Sequence, residues 1–118
     1  MERCEECGYA YDLAAATRAG DDIRVGVAEL AGLLTTTART RLARRIAPEL
    51  WSPLEYACLV RDVLITQRER VLLARRVDVP VAVPMDRDER VPCEGYAEQD
   101  PVEVAERRVP QLRRDAPR

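Results

Sequence analysis

Apolar residues recur with helical spacing in three stretches of the chain, and the pattern breaks between them. Ile23, Val27, Leu30 and Leu34 follow at intervals of four, three and four, which is one stripe of a helix. This predicts a helix over residues 21–35, with Asp21 placed to cap the free N–H groups of its first turn. Gly26 and Gly32 weaken it by about 1 kcal/mol each relative to alanine. A stronger start signal lies at Ser52-Pro53-Leu54-Glu55, where serine caps, proline fills the first helical position and glutamate completes a capping box. With no further proline or glycine before Pro80, the helix is predicted to run to about residue 76, a length of about 36 Å. Leu54, Cys58, Ile65 and Leu72 form one stripe on it, widened by Leu64 and Val71, while Leu59 and Leu73 lie on another side. A helix that is apolar on several sides is expected at the centre of a bundle.

The rest of the chain is read by its punctuation. Asp100, Pro101 and Glu103 make a second capping box, and Val102, Ala105 and Val109 begin a stripe that Pro110 is expected to interrupt after about two turns. Val77-Asp78-Val79-Pro80-Val81-Ala82-Val83-Pro84 alternates valine with prolines, so it reads as an extended crossover or edge segment. Residues 86–96 read as a polar loop. Arg39, Arg41, Arg44 and Arg45 crowd a stretch that Pro48 ends, which reads as a solvated basic connector without the aromatic or glycine support of a phosphate site. The predicted organisation is a Cys-containing leader over 1–20, a helical domain over 21–106 and an Arg- and Pro-rich tail over 107–118. The predicted class is all-α: two long helices and a short third in an up-down arrangement with an extended Val/Pro crossover.

Composition narrows the chemistry. The 118 residues suit one domain, and with aromatics at 4% and no Phe the core must be aliphatic. All 19 basic residues are Arg, which reads as the codon bias of a GC-rich genome, and the net charge of −2 gives no general pull toward nucleic acid or an anionic membrane. No apolar run is long enough to span a bilayer, and the acidic N-terminus is unlike a signal peptide, so a cytoplasmic protein is expected. There is no His at all, which removes histidine catalysis and histidine metal sites from this chain's own repertoire.

Four Cys in a reducing compartment point to thiols or a metal before disulfides. Cys4 and Cys7 form a C-x-x-C followed by Gly8, a spacing at which two thiolates can hold one zinc. The readings ordered from first to third are a flexible unmetallated pair, a weak or shared zinc site, and a redox pair. Beyond this zinc option at Cys4 and Cys7 no cofactor is expected. Cys58 falls on an apolar stripe and is expected to be buried and inert, whereas Cys93 follows Pro92 in a loop. Glu55, Asp62 and Glu69 fall along one side of the second helix, and Arg61, Arg68 and Arg75 along another. Such rows are expected to be solvated or to pair between helices at about 0.2–1 kcal/mol each.

Trp51-Ser52-Pro53-Leu54-Glu55-Tyr56-Ala57-Cys58-Leu59-Val60-Arg61-Asp62 resembles the start of the second helix in DinB-like proteins, the DinB/YfiT superfamily. Cys4-x-x-Cys7-Gly8-Tyr9-x-Tyr11-Asp12, Pro84-Met85-x-Arg87-Asp88-Glu89-Arg90 and Gly95-Tyr96-Ala97-Glu98-Gln99-Asp100-Pro101 resemble its actinobacterial members, so that the resemblance covers about residues 1–106. It implies a four-helix bundle whose characterised members include metal- and thiol-dependent transferases and a mycothiol-dependent maleylpyruvate isomerase. In those proteins three His hold zinc or nickel, one from the second helix and two from an H-x-x-x-H pair on the last. Here Leu59 stands at the second-helix ligand position, and the pair has no counterpart. The resemblance therefore implies a truncated or divergent, non-catalytic member. The alternatives are a helical protein-interaction module with a zinc or thiol site at Cys4 and Cys7, and a transferase whose missing ligands come from another chain. Self-association or a protein partner is expected, because the second helix carries more apolar surface than the first can cover.

Overall fold

A computed structural model of the chain describes residues 2–114, with side chains described for residues 2–107. The protein is all-α. Among the described residues five helices follow in order: α1 (Ala16–Thr36), α2 (Arg39–Leu42), α3 (Pro53–Ala74), α4 (Arg87–Cys93) and α5 (Pro101–Arg114). Two short 3-10 turns, Leu13–Ala15 and Tyr96–Glu98, precede α1 and α5. Among the described residues the only β pairing is an isolated antiparallel bridge between Arg3 and Ala10. No helix is long and apolar enough to cross a membrane among those residues.

The first helix begins at Ala16, inside the stretch expected as a leader, and Asp21 is not its cap. The residue before α1, Ala15, makes no side-chain cap; Asp12 instead caps the 3-10 turn that leads into α1, its carboxylate accepting a hydrogen bond from the Ala14 N–H. Asp21 instead pairs with Arg24 at 2.9 Å on the exposed surface. The helix ends at three successive threonines. The Thr35 and Thr36 hydroxyls donate back to the Gly32 carbonyl at 3.1 and 2.7 Å, and Thr37 turns extended. Of the predicted stripe, Val27 and Leu34 are buried, Leu30 is half-buried and Ile23 is exposed.

The start of α3 is as the sequence predicts. The Glu55 N–H donates to the Ser52 hydroxyl at 3.1 Å, and the Ser52 N–H donates to the Glu55 carboxylate at 3.0 Å, with Pro53 first in the helix. All its fully buried residues lie between Leu54 and Arg61. Of these, Leu54, Ala57, Cys58 and Leu59 meet the end of α1 (Leu34), Leu42, Val91, Tyr96, and Val104 and Ala105 of α5 in one apolar cluster. The core thus sits at one end of α3, and the half of the helix beyond Asp62 is only partly covered, with Val71 59% exposed.

Two further expectations are corrected. The stretch 86–96 is not a loop: Asp86 takes a left-handed conformation (φ 55°) that turns the chain into α4, and Gly95 (φ 60°) turns it out again. Aspartate is among the few non-glycine residues that adopt this conformation readily, which is why no glycine marks the start. The last helix does not stop at Pro110 but runs on to Arg114, although a proline there removes one backbone hydrogen bond. The start of α5 agrees with its predicted cap, since Asp100 accepts from the Val102 N–H at 2.9 Å. The Val/Pro crossover forms neither helix nor strand, bends at Asp78 and Val79, and leaves Val79, Val81 and Val83 all more than 75% exposed.

Candidate functional site

Three places in the molecule gather groups with chemical potential. The first lies on α3, one turn past Leu59. Arg61 and Asp62 are almost fully withdrawn from water, with side chains 6% and 12% exposed. The Asp62 carboxylate accepts from the Arg61 Nε at 2.9 Å and from the Tyr96 hydroxyl, and the Arg90 guanidinium lies 3.7 Å away. Arg61 also donates to the Gln99 side-chain carbonyl at 2.6 Å. Gln99 in turn donates to the Glu94 carbonyl at 3.1 Å, and Arg90 donates to the Met85 carbonyl at 2.7 Å. The cluster ties α3 to both ends of α4 and to the 3-10 turn before α5.

Its chemistry is that of a clasp. Burial, and then the hydrogen bond to Asp62, push the Tyr96 phenol well above the usual tyrosine range, so it stays protonated and serves as a donor. Burial pushes the Cys58 thiol up to about 11, which keeps it protonated at neutral pH. That thiol lies 3.7 Å from the Gln99 side-chain oxygen and 3.8 Å from the Tyr96 carbonyl. Cys58 is therefore buried, as its position on the stripe predicts. Asp62 is neither solvated nor facing an open cavity, since its oxygens are engaged by Tyr96 and Arg61. Leu59 is buried within the apolar cluster.

The second place is an open cleft of about 450 Å³ lined by Arg45, Trp51, Glu55, Asp88, Val91 and Glu98, among others. Its charged floor is a two-pronged ion pair: Arg45 donates to the two Glu55 oxygens at 2.8 and 2.6 Å. The guanidinium holds the buried Glu55 carboxyl down at about 2, against desolvation, with help from Ser52. Arg45 also donates to the Pro48 carbonyl at 3.0 Å. The basic connector is therefore not wholly solvated. Arg39, Arg41 and Arg44 are exposed, but Arg45 locks the connector onto the start of α3. Sequence reading missed this because the pair spans ten residues and no periodicity announces it.

The third place is the N-terminal knuckle. The Cys4 N–H donates to the Tyr9 carbonyl, the Gly8 N–H to the Cys4 carbonyl and the Tyr11 N–H to the Glu2 carbonyl, each at 2.8 Å. Gly8 takes φ +75°, the left-handed conformation this tight reversal needs. Cys4 and Cys7 are brought together at its tip, both unpaired, with Cys7 exposed. The Cys7 and Glu6 N–H groups and the Cys7 thiol lower the Cys4 thiol from its ordinary range. Among the described residues no group of three or more Cys, Asp or Glu is arranged to hold a metal. Cys93 is exposed on α4, and Cys58 belongs to the core.

Comparison of the chain with models of protein families, with curated proteins and with solved structures finds no match in any of the three.

Proposed function

We propose that this protein is a DinB-like helical domain that does not carry the metal-dependent thiol transferase or isomerase activity of that family, and that works instead by associating with another protein surface, including its own. The observation that supports the reading is the environment of position 59. A family ligand there would be an imidazole aimed into a polar cavity. Here the side chain is an aliphatic one in a closed apolar cluster, and the nearest carboxylate, Asp62, is engaged by Tyr96 and Arg61. A metal in this bundle would have to displace those partners and find further ligands in a chain without His. Association is favoured by a second observation: the half of α3 beyond Asp62 holds no fully buried residue, and the valines of the crossover are open to solvent. A cytoplasmic location accords with this reading, and nucleic acid and membrane lipid are not among its partners.

The test is metal content combined with a thiol-transfer assay. Protein whose exposed thiols have been alkylated should retain no stoichiometric zinc or nickel and should show no transfer of a low-molecular-weight thiol. Leu59→His should restore neither, because one imidazole is not a site. Tight metal in the alkylated protein, or turnover in the assay, would overturn the reading.

A further inference from the structure

The knuckle is only lightly packed against the rest of the molecule. Tyr9, Tyr11 and Leu13 beside it are 64%, 54% and 89% exposed, so it gains little from burial. A short two-stranded reversal is marginal in water without a staple. Yet the segment is organised: three 2.8 Å backbone hydrogen bonds, the Arg3–Ala10 bridge and a left-handed Gly8 present Cys4 and Cys7 side by side at an exposed tip. Two thiols at this spacing can supply two of the four ligands of a tetrahedral zinc.

We propose that Cys4 and Cys7 bind zinc between two copies of this chain, each knuckle supplying two of four thiolate ligands. The donor chemistry selects a soft, tetrahedral ion, since structural zinc takes four ligands and four sulfurs satisfy it fully. Among the described residues the same chain offers no third ligand beside the pair, and Cys58 is enclosed in the core. A second copy supplies two thiolates in the same geometry, and a two-fold axis through the metal makes the contact self-complementary. The same docking covers Tyr9 and Tyr11, whose rings already meet edge to face at 5.3 Å beside the tip. Glu2, Glu5 and Glu6 place negative charge around the pair, which attracts the cation. The step is a ligand exchange with no change of oxidation state. Four Zn–S bonds replace the bonds from zinc to its hydrating waters; those waters and the protons of the four thiols pass to solvent. The proposal is independent of the DinB-like reading, which concerns the bundle around Leu59.

The experiment titrates the full-length reduced protein with zinc against a coloured chelator while light scattering records mass. Saturation is expected at about half an equivalent per chain, with a doubling of whatever mass the zinc-free protein shows, reversed by excess chelator. Cobalt in place of zinc should give the intense absorption of a four-sulfur tetrahedral complex. Cys4→Ser/Cys7→Ser should lose both the binding and the mass change, and Cys93→Ser should keep both. Gly8→Ala removes no ligand but forces an alanine into the left-handed conformation, and should weaken binding about tenfold. One zinc per chain without change of mass, no zinc binding at all, or a mass change that persists in the double variant would each overturn the proposal. Zinc-independent association, which belongs to the proposed function, would survive in the double variant and so is read separately.

Discussion

Glu55 carries two structural duties at one carboxylate. It closes the capping box at Ser52 and anchors Arg45 of the connector, and both require its ionised form. Its folded value of about 2 lies below the ordinary 4.5, so the stabilisation it brings is fully present above pH 4.5 and is lost as pH falls through 2. Urea midpoints measured across this window should fall with acid. Arg45→Met should flatten that part of the profile, and an unchanged slope would show that the pair does not set it. The Asp62 clasp makes a second prediction. Asp62→Ala leaves Arg61, 5% exposed, and the fully buried Tyr96 hydroxyl without their shared acceptor, and should cost about 3–5 kcal/mol. Tyr96→Phe removes one donor but leaves Arg61 and Arg90 beside the carboxylate, and should cost about 1–3 kcal/mol. Equal losses in denaturant titrations would mean that Tyr96 alone holds the clasp.

At the scale of elements, legibility followed locality. The start of α3 was readable because the signal sits within four residues and the bonds it predicts are made by those residues. The pair of Cys at the knuckle was equally readable as a pair, though the reversal that unites them depends on hydrogen bonds that spacing does not reveal. The helix α4 was missed because it is short, polar on most of its surface and opened by a left-handed Asp86 where a glycine would have been a signal. Its value lies in what it brings to α3: Val91 for the core and Arg90 for Asp62. The buried Tyr96 was not legible, since a single tyrosine in a turn entered at a glycine has no period. The end of the last helix was misjudged because proline was treated as a stop, whereas the helix continues through position 110. That continuation is itself testable. Pro110→Ala should raise helical content and stabilise the protein by up to about 3 kcal/mol, seen by circular dichroism and thermal melting. No change would mean that the helix does not persist past 110 in solution.

The whole molecule is more open than its length suggests. Its radius of gyration is 16.1 Å, against about 13–14 Å for a compact domain of this size. The reason is visible in where burial occurs. The apolar cluster joins the first third of α3 to α1, α4 and α5, and the rest of α3 extends past it with Val71 and its neighbours partly bare. Each large aliphatic side chain left exposed forgoes roughly 1.5–3 kcal/mol of burial, against a net stability of about 5–15 kcal/mol for a domain. Several such residues are a strong drive to find cover. In the presence of a chelator, so that zinc at the knuckle plays no part, light scattering combined with thermal melting at two protein concentrations tests this most directly. The account predicts a mass above the 13.3 kDa of one chain and a melting temperature that rises with concentration. A mass of 13.3 kDa with one sharp melt at the same temperature in both samples would contradict it.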